Sequence, residues 1–199
     1  MLRFLATLLC ALVFVPPLEA QLDYYARVGL TGSSHLVQDF IFQPISTTPG
    51  IAPTLVGGLS MPLAPRYGVG IEGTYTTGGL SAATEAGDED IDLGNVSTLS
   101  ALANVDGPLG PGFRWRVGVG IISYRGEDAG LFAGGGTLRW LVGGGLDYRF
   151  AAFSSWDIMV SGRYDMNRFT TDELRSRGFT RTQSVHRGGL TLGLARSHR

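Results

Sequence analysis

The sequence predicts an all-β fold, an eight-stranded antiparallel up-and-down β-barrel that crosses a membrane. Three observations predict it. Eight segments alternate apolar and polar residues with period two. The connections between them alternate short and long. One face of the alternating segments is crowded with charges and glycines, and the other carries the large aromatics. The first pattern makes strands, because successive side chains point to opposite sides. The second gives them up-and-down order, and the third sets which face meets lipid.

The chain of 199 residues is long enough for one domain with a sizeable core. Its formal charge of −1 offers no basic field for nucleic acid, and no nucleic-acid partner is expected. Its 30 glycines are too scattered for collagen and too interleaved with apolar residues for a flexible linker. Residues 1–20 read as a signal peptide. Arg3 gives a positive start, an apolar run follows from Phe4 to Val15, and Pro16-Pro17 break it before Leu18-Glu19-Ala20. The single cysteine, Cys10, falls inside that run, and Leu9 stands before it where a lipoprotein needs a small residue. The expected mature unit is a barrel domain over 21–199, without disulfides.

Element by element, the first strand is expected at 22–31, with Tyr24, Ala26, Val28 and Leu30 on one face. The second, about 54–63, aligns Leu55, Leu59, Met61 and Leu63 and stops near Pro62. In the third, Tyr67, Val69, Ile71 and Tyr75 alternate with Gly68, Gly70, Glu72 and Thr74. The fourth, about 96–105, is made of small residues and fits either register. The fifth sets Phe113, Trp115, Val117, Val119 and Ile121 against Arg114, Arg116 and glycines. The sixth sets Leu138, Trp140, Val142, Leu146 and Tyr148 against Arg139, Leu141, Asp147 and Arg149. The seventh sets Trp156, Ile158, Val160 and Tyr164 against Asp157, Ser161, Arg163 and Asp165. The eighth, about 185–195, sets Leu190, Leu192 and Leu194 against Arg187, Thr191 and glycines.

The connections at 33–53, 77–92, 126–135 and 170–184 are the longer ones. Those at Ala64-Pro65, 106–112 and 151–155 are short. Short periplasmic turns and longer extracellular loops produce this rhythm. The charged face belongs inside, because an Arg against lipid near the bilayer midplane costs about 2–4 kcal/mol. Glycines between the charges leave room for long side chains crossing a narrow lumen. Tyr24, Tyr67, Phe113, Trp115, Tyr148, Phe150 and Trp156 fall at the expected periplasmic ends, and Tyr75, Trp140 and Tyr164 nearer the other. These are two interfacial girdles.

The leader, the eight alternating strands and the loop rhythm resemble the OmpA/OmpX-type outer-membrane barrels over nearly all of 21–199. The resemblance implies an outer-membrane location in a Gram-negative-type cell, with membrane lipid and lipopolysaccharide as surroundings. It also implies long loops available to a surface ligand. It is architectural, so it speaks for fold rather than activity. The chain departs from the pattern at its end, Leu194-Ala195-Arg196-Ser197-His198-Arg199, where such barrels commonly finish on an aromatic residue. No peptidoglycan-binding domain is expected after the barrel.

The constellation with chemistry in it is a lumen charge network of Glu72, Arg116, Asp147, Arg163, Asp165 and Arg187. Buried charges must pair. The three carboxylates are expected to meet Arg116, Arg163 and Arg187, plugging and stiffening the barrel; the other role for such a network is a gate that opens by exchanging partners. An acidic stretch (Glu85, Asp88, Glu89, Asp90, Asp92) lacks the spacing of a Ca²⁺ loop and reads as solvated. Arg168, Arg175, Arg177 and Arg181 form a basic stretch suited to lipopolysaccharide phosphates. Ser184 and His186 share a face but bring no oriented carboxylate, and Ser34-His35 is a loop pair. Gly68-Val69-Gly70 has no following helix to cradle a nucleotide. The expected function is a non-enzymatic outer-membrane barrel with a structural or surface-interaction role and no catalytic residue, cofactor or metal. The alternatives are a lipid A deacylase-like enzyme and a soluble periplasmic ligand-binding barrel.

Overall fold

The computed structural model describes residues 22–40, 44–84, 91–127, 137–153, 155–176 and 182–196. Among these residues ten strands form: β1 (Asp23–Ser33), β2 (Val37–Phe40), β3 (Pro44–Pro49), β4 (Ala52–Ala64), β5 (Tyr67–Thr84), β6 (Ile91–Gly110), β7 (Phe113–Gly126), β8 (Thr137–Phe153), β9 (Trp156–Phe169) and β10 (Gln183–Arg196). One helical turn, α1 (Asp172–Ser176), precedes β10. Eight of the strands close on themselves in the order β4-β1-β10-β9-β8-β7-β6-β5, and β5 pairs back onto β4. All pairs are antiparallel. First and last strands meet from Tyr24 opposite Arg196 to Ser33 opposite Arg187.

The alternation is inside out relative to a soluble barrel. Val28, Leu30, Leu55, Ile71, Val119, Val142, Leu190 and Leu192 all point outward and are exposed, and Trp140 is 79% exposed. Arg27, Glu72, Asp147, Asp165 and Arg187 point inward and are buried. An apolar belt of this kind is stable only against lipid, so the soluble reading with an apolar interior is overturned. At the tight-turn end the aromatics associate across strands. Tyr24 meets Trp156 edge-on with centroids 5.7 Å apart, and Phe113 meets Tyr148 at 4.6 Å.

Strand ends differ from the sequence reading. The turn expected over 106–112 is only Pro111-Gly112, because Asp106–Gly110 continue β6. Gly112 takes φ +74°, the left-handed region that a type II turn requires after proline. β5 and β6 run on together well into the expected 77–92 loop, to Thr84 and from Ile91. The expected 33–53 loop contains the β2–β3 hairpin, which pairs with the far end of β5, Ile45 opposite Thr84 to Pro49 opposite Leu80. The register left open in the fourth predicted strand is settled: Ser100, Leu102 and Asn104 are buried in the lumen, and Leu99, Ala101, Ala103 and Val105 face out. The leader at 1–20, with Cys10, lies outside the described residues, as do Glu85, Asp88, Glu89, Asp90, Arg177 and Arg181. Asp92 belongs to β6, where it accepts the Gly94 N–H at 2.9 Å.

Candidate functional site

Every polar lumen residue is placed by the two-residue period of its strand. β1 contributes Tyr25 and Arg27, β5 Glu72, Thr74 and Thr76, β7 Arg116, β8 Asp147, β9 Ser161, Arg163 and Asp165, and β10 Arg187. Gly58 and Gly143 are part of the same layer. A Cβ on Gly58 would collide with the Tyr25 ring, and one on Gly143 with the Asp165 carboxylate. The glycines of the polar face are thus the space in which its long side chains lie.

Glu72 is the hub. Its Oε2 accepts from the Tyr25 hydroxyl at 2.7 Å, and from the guanidiniums of Arg27 and Arg116. Its Oε1 accepts from Arg163. Arg116 reaches on to Asp147, and Arg27 lies 3.5 Å from the same carboxylate. Ser161 closes the circuit, accepting from Arg27 and donating to Asp147. The planes of Arg27 and Arg116 stack on the Tyr25 ring, 4.8 and 5.0 Å from its centroid, an arrangement that adds cation–π attraction. Arg163 also bonds Thr74 at 2.6 Å and holds both oxygens of Asp165 through Nε.

Five of the six predicted network residues therefore come together as ion pairs: Glu72, Arg116, Asp147, Arg163 and Asp165. Arg187 is the correction. Among the described residues it makes no carboxylate pair, and its Nη2 bonds Thr76 and Thr98 at 3.1 and 3.0 Å. The reason is competition, since its cross-strand neighbour Asp165 is taken by Arg163 two residues away on the same strand face. Three members of the circuit were missed, Arg27, Tyr25 and Ser161. Arg27 stood on the polar face in sequence, and Tyr25 follows from the same register.

Above this layer the lumen turns apolar. Leu36, Leu80, Val96, Ile122, Tyr124, Leu141, Phe169 and Val185 are buried together. Tyr124 packs edge-on against Phe169 with centroids 4.9 Å apart and donates to Asn167 at 2.8 Å. Below it, Arg114 pairs with Asp106 and Arg149 with Asp23, around a vestibule of about 520 Å³ at the tight-turn mouth. Within the charged layer and at its border with the apolar one, three small cavities measure about 20, 10 and 20 Å³. Each has room for about one water.

Outside the lumen, Ser184 and His186 both face outward and exposed. The His186 ring bonds the Tyr164 hydroxyl, and its backbone N–H bonds Ser34 Oγ at 3.0 Å. His35 bonds Thr48 at 2.6 Å. Arg168 is exposed on β9, and Arg175 lies in α1 with Asp172 at 3.5 Å, so the basic stretch is divided between two elements.

A closed eight-strand barrel with an apolar exterior and an ionic interior has the fold of the small, OmpA/OmpX-like outer-membrane barrels of Gram-negative bacteria, with the apolar belt as its lipid-facing surface. Solved structures agree. The outer membrane protein OprG from Pseudomonas aeruginosa aligns with a TM-score of 0.59 at 13% identity, covering 90% of this chain and 97% of that one. AlkL, an outer membrane protein solved in lipid bilayers, gives 0.57 at 13% identity, covering 90% and 92%. Neisserial surface protein A gives 0.54 at 11% identity, covering 90% and 98%. No protein-family model and no curated protein matches the chain.

Proposed function

We propose that this chain is a non-enzymatic outer-membrane barrel with a plugged lumen, serving as a structural or surface-interaction element of the cell envelope. The observation that carries the reading is the lumen itself. A carboxylate shared by three guanidiniums spans the barrel, and an apolar layer caps it on the long-loop side. An eight-strand interior is just wide enough to be filled by side chains, and the polar side chains that project into this one bind one another, which supports a plug. Material on the extracellular side supports the surface role. The β5–β6 extension carries the β2–β3 hairpin on its edge, a paired platform rather than a loose loop. Specificity on such folds lives in these outer segments.

Single-channel recording in planar bilayers tests the plug. The purified barrel should insert without discrete conductance steps, and frequent large steps from the unmodified protein would overturn the plug. The surface role is tested by whole-cell binding to lipopolysaccharide-coated and host-matrix-coated surfaces. Cells expressing the barrel with β2–β3 replaced by a short turn should lose binding while retaining the heat-dependent gel shift of a folded barrel. Equal binding by both would leave the structural role alone.

A further inference from the structure

In the layer around Glu72, four guanidinium groups, of Arg27, Arg116, Arg163 and Arg187, stand against three carboxylates, of Glu72, Asp147 and Asp165; of the other buried carboxylates, Asp106 pairs with Arg114 and Asp157 lies nearer the tight-turn end, opposite Ala195. The surplus positive charge falls on Arg187. This residue is 3% exposed, and its Nε and Nη1 have no partner among the described residues. A cation removed from water needs a counter-charge as well as hydrogen bonds. Threonine hydroxyls supply only the second.

Two small cavities meet this side chain. One, of about 10 Å³, lies between Arg163 and Arg187 and is bordered by Thr54, Thr191 and Asp165. The other, of about 20 Å³, lies on the Thr76 and Thr98 side. Residues that border the first carry further unused donors. Nη2 of Arg163 and the hydroxyl of Thr191 are buried and unpartnered as well. Asp165 also borders this cavity, but both its oxygens are engaged by Arg163 Nε. The space is that of about one water, and a chloride ion, with a radius of about 1.8 Å against about 1.4 Å, enters if the lining side chains give by a few tenths of an ångström. Phosphate, sulfate and carboxylates are too large. A water there would satisfy donors without supplying charge.

We propose that Arg187, Arg163 and Thr191 bind one small monovalent anion of the halide class, which completes the charge balance of this layer. The site requires only the closed barrel and is independent of any surface role. The apolar layer of Tyr124, Phe169 and Val185 lies above it, so the ion is captured as the barrel folds. Folding equilibrium is therefore the readout.

The test is urea unfolding of the barrel in detergent micelles over two decades of chloride at constant ionic strength, with gluconate as the balancing anion. Above saturation, the folded-to-unfolded ratio should rise about tenfold for each tenfold rise in chloride, the dependence of one bound ion. Arg187→Leu should abolish that dependence. Thr191→Val, a change that keeps side-chain size, should move it to higher chloride, and this variant decides the matter where Arg187→Leu does not fold. Bromide in place of chloride should give an anomalous diffraction peak beside Arg187. A wild-type ratio indifferent to chloride, the result for a water-filled cavity, would overturn the proposal. So would a chloride dependence unchanged in the variants.

Discussion

Neutralising Glu72 is the most informative single change. Glu72→Gln keeps size and leaves an oxygen for the Tyr25 hydroxyl, but removes the charge shared by Arg27, Arg116 and Arg163. The three arginines are not equally affected. Arg163 retains Asp165, and Arg116 retains Asp147. Arg27, with its side chain 1% exposed, is left with a share of Asp147 at 3.5 Å. Removing one partner of a buried pair costs about 3–5 kcal/mol, because the other charge stays behind. With one arginine largely orphaned and two partly compensated, the expected loss is about 4 kcal/mol, or roughly a thousandfold in the folding equilibrium. Equilibrium urea unfolding in lipid vesicles, followed by tryptophan fluorescence and gel mobility, measures it. The double variant Glu72→Gln/Arg27→Met should recover at least half of the loss, since it removes the stranded cation. A single-variant loss under about 1 kcal/mol would refute the argument that this carboxylate holds the lumen layer together. So would a double variant weaker than the single.

Three further outcomes are expected from the same unfolding assay. Val119→Arg, on the exposed lipid belt, should cost about 2–4 kcal/mol if the residue lies near the bilayer midplane, and a neutral result would argue that this face does not meet lipid. Gly58→Val should drive the Tyr25 ring off Glu72 and cost about 1–3 kcal/mol by overpacking, whereas Gly57→Val, where a Cβ meets nothing within 4 Å, should be nearly silent. Phe169→Ala should cost about 3–5 kcal/mol through the cavity it leaves beside Tyr124, and an unchanged midpoint would show that the apolar layer contributes little.

The barrel was legible because both of its faces are written in period two. Val117, Val119 and Ile121 against Arg116, Gly118 and Gly120 leave one register only, and the structure adopts it. The fourth predicted strand was ambiguous for a physical reason. Leu99 and Leu102 sit on opposite faces among small residues, and only the neighbours on β5 and β7 decide which leucine enters the lumen. Strand extensions beyond the membrane were hidden because Gly78, Gly79 and Gly94 read as loop, whereas cross-strand pairing carries them on as sheet. The site was half visible. Charges on one face announced a network, but not its pairing, which depends on height and reach across the lumen. Hence Arg187 was matched with carboxylates it does not touch, and Arg27 was left out. The apolar cap escaped notice because Leu36 and Leu80 lay in segments read as loops, and Val96 at the uncertain edge of a strand.

The sharing of one carboxylate by arginines from β1, β7 and β9 also constrains how this chain can change over time. Outer-membrane barrels grow or shrink by whole hairpins, and each added hairpin moves opposite walls apart. Arg27, Arg116 and Arg163 meet Glu72 only because the perimeter is eight strands. A duplicated hairpin would strand several charges at once, and a deleted one would crush them together. No single later substitution repairs either. The strand number is thus fixed by side-chain reach, and variation is channelled into the segments beyond the membrane, where a hairpin such as β2–β3 can be gained or lost without touching the centre.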